Sequence, residues 1–148
     1  MPIRKILVPT DLSPEGERSF PAVAELATAM RATVVLLHVI ENVGVAPVGD
    51  AFPRPAMIAG TKEEIERARG LLAERRASFP AGVELTTDVA VVPSVSHGIT
   101  DYAAKNGCDL IALSTHGRGG FRRLMLGSVA EEVLRASRVP VMVFPRQA

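Results

Sequence analysis

The sequence contains few of the features that mark secreted, membrane-embedded or nucleic-acid-binding proteins. Its 148 residues include one cysteine, Cys108, so an internal disulfide cannot form. No apolar run approaches the roughly 20 residues that a membrane-spanning helix needs, and the opening MPIRKILVPTD turns polar too early for a signal peptide. A formal net charge of +1 gives no reason to expect nucleic acid or a membrane surface as a partner. These features predict a cytoplasmic protein that binds neither.

Common motifs of phosphate, metal and hydrolase chemistry are also absent. Gly44 and Gly49 have Walker-type spacing, but Asp50-Ala51 replaces the required Lys and Ser/Thr. No G-x-G-x-x-G follows the first predicted strand, and the sequence has no H-E-x-x-H, G-x-S-x-G or cysteine pair. The histidines show no metal-ligand spacing; they are His38, His97 and His116. His38 ends an apolar strand and is interpreted as a hydrogen-bonded core residue, and Cys108 as a small core or strand-entry residue.

Short β-rich runs alternate with longer runs of helical periodicity along the chain. Such alternation predicts an α/β fold, a single doubly wound, five-stranded parallel sheet with helices on both faces and a Rossmann-like arrangement. No repeat or linker divides the sequence, so we expect one domain over residues 1–148. The predicted strands are 3–8, 33–40, 83–91, 109–114 and 139–144, and the predicted helices are 13–30, 61–79, 94–106 and one beginning at Ser128.

Three local patterns make sharper predictions about these helices and loops. Pro21 falls inside the first helical pattern, where it would bend the helix. Thr61 with Glu64, and Ser128 with Glu131, have capping-box spacing and predict helices that begin at Thr61 and Ser128. The segment 41–60 is rich in glycine and proline and is longer than an ordinary connection, which is typical of a functional surface flap.

Two predicted strands end in residues suited to ligand binding. Open parallel sheets bind ligands at the carboxyl ends of their strands, where the strand order reverses. The first strand is followed by Pro9–Ser13 and the fourth by the segment 114–120, STHGRGG. Glycines there let the backbone approach an anion closely, and Gly127-Ser128 opens a helix whose N-terminal N–H groups favour phosphate. Two such elements, a fixed distance apart in sequence, predict a polyphosphate site.

The same residues resemble the universal stress protein family. The resemblance rests on strand-PTDLS at the first strand, LLHV at the second, and STHGRGG…LGSVAEEVLR…PVMV toward the C-terminus. Nucleotide-binding members of that family carry Gly-x2-Gly-x9-Gly-(Ser/Thr). Gly117 and Gly127-Ser128 match this pattern, whereas Ser114 replaces its first glycine. If Ser114 took a positive φ, strain of ~1 kcal/mol would weaken binding roughly tenfold; otherwise its hydroxyl would face the ligand.

The resemblance implies an adenine-nucleotide ligand (ATP, ADP or AMP) and a role for each matched residue. Pro9, Thr10 and Asp11 would line the nucleoside, and the backbone of Val39 would bind adenine. Asp11 would also meet a ribose hydroxyl or a water on Mg²⁺, although an alternative is a turn residue that bonds its own backbone. Ribose and phosphates would be surrounded by Ser114, His116, Gly117, Gly127, Ser128 and Val129. Leu113, Arg118 and Gly119 complete the predicted nucleotide contacts, with a solubilising surface as the alternative role for Arg118 and its neighbours Arg122 and Arg123.

Three functions compete for this sequence. The preferred one is a nucleotide-binding regulatory protein of the stress response. A slow ATP hydrolase is the second, with Asp11 and the arginines at positions 118, 122 and 123 as parts, but no phosphate-cradling lysine and no clear base is visible. The third is an interaction module without nucleotide. The resemblance also implies a homodimer through the last strand, Val139–Phe144, which is β-prone and suited to a sheet edge.

Overall fold

The computed structural model describes residues 2–42, 60–115 and 126–145. Strands and helices alternate within these ranges, as the hydrophobic periodicity predicts. The strands are β1 (Lys5–Pro9), β2 (Thr33–Glu41), β3 (Leu85–Val92), β4 (Leu110–Ser114) and β5 (Val141–Phe144). The helices are α1 (Pro14–Glu17), α2 (Phe20–Met30), α3 (Lys62–Ser78), α4 (Val95–Lys105) and α5 (Ser128–Ala136).

All the paired strands are parallel, in the order β3-β2-β1-β4-β5. Successive residues of a strand point to opposite faces, so one strand supplies two core layers. Ile6 packs in a layer with Phe20 of α2 and Leu72 of α3. Leu7 packs in the other layer with residues of α4 and α5, among them Val133. The predicted doubly wound α/β sheet with helices on both faces is confirmed.

The first helical region differs from the prediction. A single bent helix was expected, whereas the structure has two helices separated at Arg18-Ser19. Pro21 becomes the second residue of α2, where its missing N–H removes no intrahelical hydrogen bond. The Ser19 hydroxyl, which is buried, donates to the Gly16 carbonyl at 3.0 Å across the break. A break therefore accommodates the proline at lower cost than a bend.

The two predicted capping boxes have different outcomes. At α3 the Thr61 hydroxyl accepts from Glu64 N–H at 3.2 Å, and the Glu64 carboxylate accepts from Gly60 N–H rather than from Thr61. At α5 the N-cap is Gly127, and Ser128 is the first helical residue. The prediction of Ser128 as the cap is therefore wrong by one position. The predicted flap lies outside the described residues apart from Glu41, Asn42 and Gly60.

Cys108 lies two residues before the start of β4 and is 4% exposed. Burial raises the pKa of its thiol, which disfavours the reactive thiolate. The interpretation of Cys108 as a small core residue at the strand entry is confirmed.

Candidate functional site

The strand order places a crevice between the carboxyl ends of β1 and β4. These strands are neighbours, with Leu7 in register with Ile111. From β1 the chain continues to β2 on one side, and from β4 it continues to β5 on the other. This is the topological switch point at which open α/β sheets bind ligands. The two segments that the sequence singles out, Pro9–Ser13 and the one that begins at Ser114, thus leave the sheet side by side.

The β1–α1 loop, Thr10–Ser13, is held by its own side chains. The Thr10 hydroxyl accepts from Leu12 N–H at 3.1 Å, and Asp11 Oδ1 accepts from Ser13 N–H at 2.9 Å and from the Ser13 hydroxyl. Leu12 has a φ of 63°, in the left-handed region that non-glycine residues rarely adopt. Asp11 therefore makes the turn contact of the alternative interpretation. Its ligand role stays a prediction.

Strand β2 anchors the same loop from the other side. Thr10 N–H donates to the Leu37 carbonyl at 2.8 Å, and His38 Nδ1 lies 2.9 Å from the Thr10 carbonyl. Because a carbonyl only accepts, His38 Nδ1 must carry the proton in this contact. The hydrogen-bonded role predicted for His38 is confirmed, but the residue is half-buried and lies outside the core. Its contact with the site loop was not predicted, because the sequence LLHV does not reveal which carbonyl the ring meets.

The backbone of Val39 lies beyond the end of β1. The last residue of β1 paired with β2 is Pro9, opposite Leu37, whereas β2 continues to Glu41. In a parallel strand, alternate residues direct N–H and C=O to the same neighbour. The Leu37 carbonyl accepts from Thr10 N–H, so the N–H and C=O of Val39, two residues further along β2, point toward the β1 side of β2, beyond the end of β1. This orientation is the one that the predicted adenine contact needs.

Ser114 is the last residue of β4 and carries no positive-φ strain. In the described part of the chain, the non-glycine residues with positive φ are Leu12 and Arg31. The Ser114 hydroxyl lies 3.3 Å from the Gly16 carbonyl and 3.4 Å from the Ser19 hydroxyl. The serine therefore connects the end of β4 to α1 and to the residue that precedes α2. Of the two alternatives for Ser114, the strained conformation does not apply, and the hydroxyl has protein partners.

The start of α5 is attached to the end of β4 by the backbone. Gly127 N–H donates to the Thr115 carbonyl at 3.2 Å, and Thr115 N–H donates to the Phe144 carbonyl at 3.1 Å. Thr115 and Gly127 thus lie next to each other at the crevice. A Cβ at position 127 would lie 3.2 Å from the Thr115 oxygen, so the close approach favours glycine. Gly127 has a φ of −60°, so the requirement is space and not backbone conformation.

The first turn of α5 presents the donors that a phosphate would use. Gly127 N–H is already bonded, while Glu131 N–H begins the intrahelical series by donating to Gly127. The N–H groups of Ser128, Val129 and Ala130 have no intrahelical acceptor. The side chains of Ser128 and Val129 are exposed beside them. Because Gly127 and not Ser128 is the N-cap, the Ser128 hydroxyl is not needed to cap the helix.

Several predicted site residues lie outside the described residues: His116, Gly117, Arg118 and Gly119, and with them Arg122 and Arg123. Of the rest, Pro9, Thr10, Asp11, Leu113 and Ser114 lie at the ends of β1 and β4, Gly127, Ser128 and Val129 at the start of α5, and Val39 near the end of β2. Within residues 2–42, 60–115 and 126–145 no three His, Cys, Asp or Glu side chains form a group that would hold a metal ion. None of the helices in these ranges is long and apolar enough to cross a membrane.

This strand order and switch-point crevice define a Rossmann-like α/β protein. The model of the universal stress protein family matches residues 2–145. The chain therefore belongs to the universal stress protein family, whose members have a role in the stress response and are generally not classical enzymes.

Sequence relatives carry the same family name. Universal stress protein MJ0577 of Methanocaldococcus jannaschii is 28% identical over 156 residues, covering 97% of this chain and 96% of the relative. Universal stress protein A homolog 1 of Coxiella burnetii is 32% identical, covering 96% of each. A universal stress protein of Mycolicibacterium smegmatis is 33% identical, and the match covers 93% of this chain and 44% of the relative.

Solved structures show the same fold. The structure of MJ0577 superposes with a TM-score of 0.74 at 24% identity, covering 100% of this chain and 99% of the other. A universal stress protein from Archaeoglobus fulgidus in complex with dAMP has a TM-score of 0.67 at 21% identity, covering 97% and 98%. A universal stress protein in complex with cAMP has a TM-score of 0.61 at 19% identity, covering 97% of each chain.

Proposed function

We propose that this chain is a cytoplasmic regulatory protein that binds an adenine nucleotide (ATP, ADP or AMP) at the switch-point crevice. One domain spanning residues 1–148 would carry the site. The nucleoside would lie against the β1–α1 loop and the end of β2, and the phosphates against the start of α5. Mg²⁺ would accompany a polyphosphate, with Asp11 reaching it through water.

The observation that carries the proposal is the junction of Thr115 with Gly127. The hydrogen bond between them brings the first turn of α5 to the end of β4, beside the β1–α1 loop. The N–H groups of the first turn, which have no intrahelical acceptor, and the positive end of the helix dipole would then be available to a phosphate in the crevice. The outward backbone of Val39 adds an edge that would recognise a base. Relatives of the same fold that hold dAMP and cAMP support an adenine nucleotide as the ligand.

The central experiment is calorimetric titration of AMP, ADP and ATP into the parent and two matched variants. Val129 and Leu134 are both exposed residues of α5, at 37% and 42%, but only Val129 lies in the first turn. Val129→Glu puts a negative charge beside the proposed phosphate. We expect it to weaken binding about tenfold, or about 1.4 kcal/mol, whereas Leu134→Glu leaves the affinity unchanged.

The opposite results would reject the proposal. A parent protein that gives neither heat nor a thermal shift at millimolar nucleotide does not bind it, and the third function, an interaction module, would then be preferred. Equal losses in the two variants would place the phosphates away from α5. A glutamate in the first turn interacts favourably with the helix dipole, so Val129→Glu is expected to stay folded and a loss of affinity would report on binding.

We propose binding without efficient turnover. Asp11 Oδ1 already accepts two hydrogen bonds from Ser13, which suits a fixed turn better than a mobile base. Incubation with ATP and Mg²⁺ should therefore release phosphate no faster than buffer alone. Phosphate release that requires metal and disappears in Asp11→Ala would instead establish the hydrolase.

We further propose a homodimer that forms through β5. This strand is the outer neighbour of β4 at one edge of the sheet, and its second residue, Met142, is 37% exposed. Val141 and Phe144 pack against the core layers, so a charge at Met142 tests the edge with the least damage to the fold. Met142→Lys should halve the mass measured by light scattering. An unchanged dimer would exclude this interface.

A further inference from the structure

Helix α3 reaches across to the β1–α1 loop through a single arginine. Arg75 Nη2 donates to the Leu12 carbonyl at 2.9 Å. Its Nε lies 2.8 Å from Glu17 Oε1 in α1, as an ion pair in which both side chains are about three-quarters buried. The Ser78 hydroxyl, one turn further along α3, donates to the other oxygen of Glu17 at 3.1 Å. One planar guanidinium therefore joins α3 to both the loop and α1.

Leu12 is the residue of that loop whose backbone conformation needs support. A leucine at a φ of 63° is disfavoured, and such residues persist only where their surroundings hold them. Its side chain is 8% exposed in the core layer of Phe20 and Leu72. Its N–H donates to the Thr10 hydroxyl, and its carbonyl accepts from Arg75. Each part of Leu12 is thus held separately.

We infer that Arg75 is a positioning residue for the proposed nucleotide site. By bonding the Leu12 carbonyl it maintains the left-handed turn that sets Thr10 and Asp11 at the mouth of the crevice. Arg75 itself does not touch the ligand. This inference rests on the proposed function, because it assigns a purpose to the loop conformation. It explains why an arginine is suited to the position: one guanidinium donates from Nη2 to the Leu12 carbonyl and pairs its charge with Glu17 at Nε, where no hydrogen bond is made, and the compact ammonium of lysine spans the two partners less well.

The test compares Arg75→Met with Arg69→Met, a matched control on the same helix. Arg69 pairs with Glu66 at the surface, where both side chains are more than half exposed. Three quantities are measured for each variant: the dissociation constant of AMP, the hydrogen-exchange rates of the Leu12 and Ser13 amides, and the global free energy of unfolding. Arg75→Lys and Glu17→Gln separate the carbonyl contact from the ion pair.

We expect Arg75→Met to weaken AMP binding at least fivefold and to accelerate Leu12 and Ser13 exchange more than core amides such as that of Leu36. Arg75→Lys should show the same changes in AMP affinity and amide exchange, but smaller. Glu17→Gln should show still smaller changes because the Leu12 contact remains, and Arg69→Met should match the parent. A loss of global stability with no selective exchange and no change in affinity would overturn the inference.

The failure of the proposed function has a separate signature. If the parent does not bind AMP, the nucleotide site is rejected whatever the exchange data show. Selective exchange in Arg75→Met would then assign the arginine to the loop conformation alone and overturn its role in a nucleotide site. Binding by the parent that Arg75→Met leaves intact would retain the proposed function and reject the positioning role.

Discussion

The two walls of the crevice are built by different means. The β1–α1 loop has one backbone bond to β2, from Thr10 N–H to the Leu37 carbonyl, and its turn is held by side chains: the Thr10 hydroxyl, the Asp11 carboxylate, the His38 ring and the Arg75 guanidinium. The start of α5 is held by backbone hydrogen bonds and a glycine that permits close approach. Substitutions in the loop should therefore disturb the site by removing hydrogen-bond partners. Substitutions at the start of α5 should disturb it by adding atoms where the backbones approach closely. This contrast is open to test.

The largest effect should come from adding one carbon to the α5 wall. In Gly127→Ala the new Cβ would lie 3.2 Å from the Thr115 oxygen, so the helix start must shift. The same change also replaces a favourable N-cap residue by a poor one. We expect about 1–2 kcal/mol lower free energy of unfolding in urea and about tenfold weaker AMP binding.

The control for Gly127→Ala is Gly70→Ala. Gly70 lies inside α3 with no atom within 4 Å of an added Cβ. The alanine should raise the free energy of unfolding by about 0.5–1 kcal/mol and leave AMP binding unchanged. A neutral result at Gly127 would mean that the α5 wall tolerates added atoms, and the contrast between the walls would fail.

The next effect concerns the loop wall. His38→Leu removes the imidazole N–H that donates to the Thr10 carbonyl and puts an apolar side chain in its place in β2. We expect a loss of about 1–2 kcal/mol in the free energy of unfolding, with faster hydrogen exchange at Leu12 and Ser13. His97→Leu is the matched control, since His97 is exposed on α4. Equal losses in both variants would show that His38 does not act through the loop.

A smaller effect is expected at the position where this chain departs from the family motif. Ser114→Gly removes the hydroxyl contact with Gly16 and adds chain entropy to the unfolded state. The free energy of unfolding should fall by about 0.5–1 kcal/mol. Because Ser114 is not strained, restoring the glycine should leave AMP affinity within about twofold. A tenfold gain in affinity would instead show that the serine obstructs the ligand.

The smallest effect on stability should be that of Asp11→Asn. Asparagine keeps an oxygen that can accept from Ser13 N–H, so the turn should persist and the free energy of unfolding should change by less than about 0.5 kcal/mol. Any loss of AMP binding then reports contact with the ligand, whereas Asp11→Ala would also break the turn. Unchanged AMP affinity in Asp11→Asn would confine Asp11 to its turn role.

Much of the fold could be predicted because its signals are local. Thr33–Ile40 is a continuous apolar, β-branched run, which indicated a strand buried on both faces, and β2 spans Thr33–Glu41. The helix predicted over 94–106 is α4, which ends at Lys105 with Asn106 as its C-cap, and the next residue, Gly107, adopts a φ of 62°. The errors arose where two local signals competed. Pro21 broke the first helix instead of bending it, and Gly127 took the N-cap that Ser128 was expected to supply.

The candidate site was only partly predictable for a related reason. The sequence indicated the loops after β1 and β4, because parallel strands carry ligands at their carboxyl ends. It did not indicate that Ser114 contacts Gly16, that His38 bonds the Thr10 carbonyl, or that Arg75 reaches Leu12. These partners are 28 to 98 residues apart in sequence. Periodicity and turn chemistry describe neighbours along the chain and carry no information about such pairs.

The sequence by itself determined the α/β class, the order of the elements and the family, because hydrophobic period, capping and motif spacing are properties of short segments. The strand order and the left-handed turn at Leu12 were decided by the tertiary structure. The strand order depends on which faces pack together, and the turn on a guanidinium from a helix 63 residues away. Leucine alone would avoid that conformation, and it becomes the stable one only because its core contacts and two hydrogen bonds outweigh the local strain.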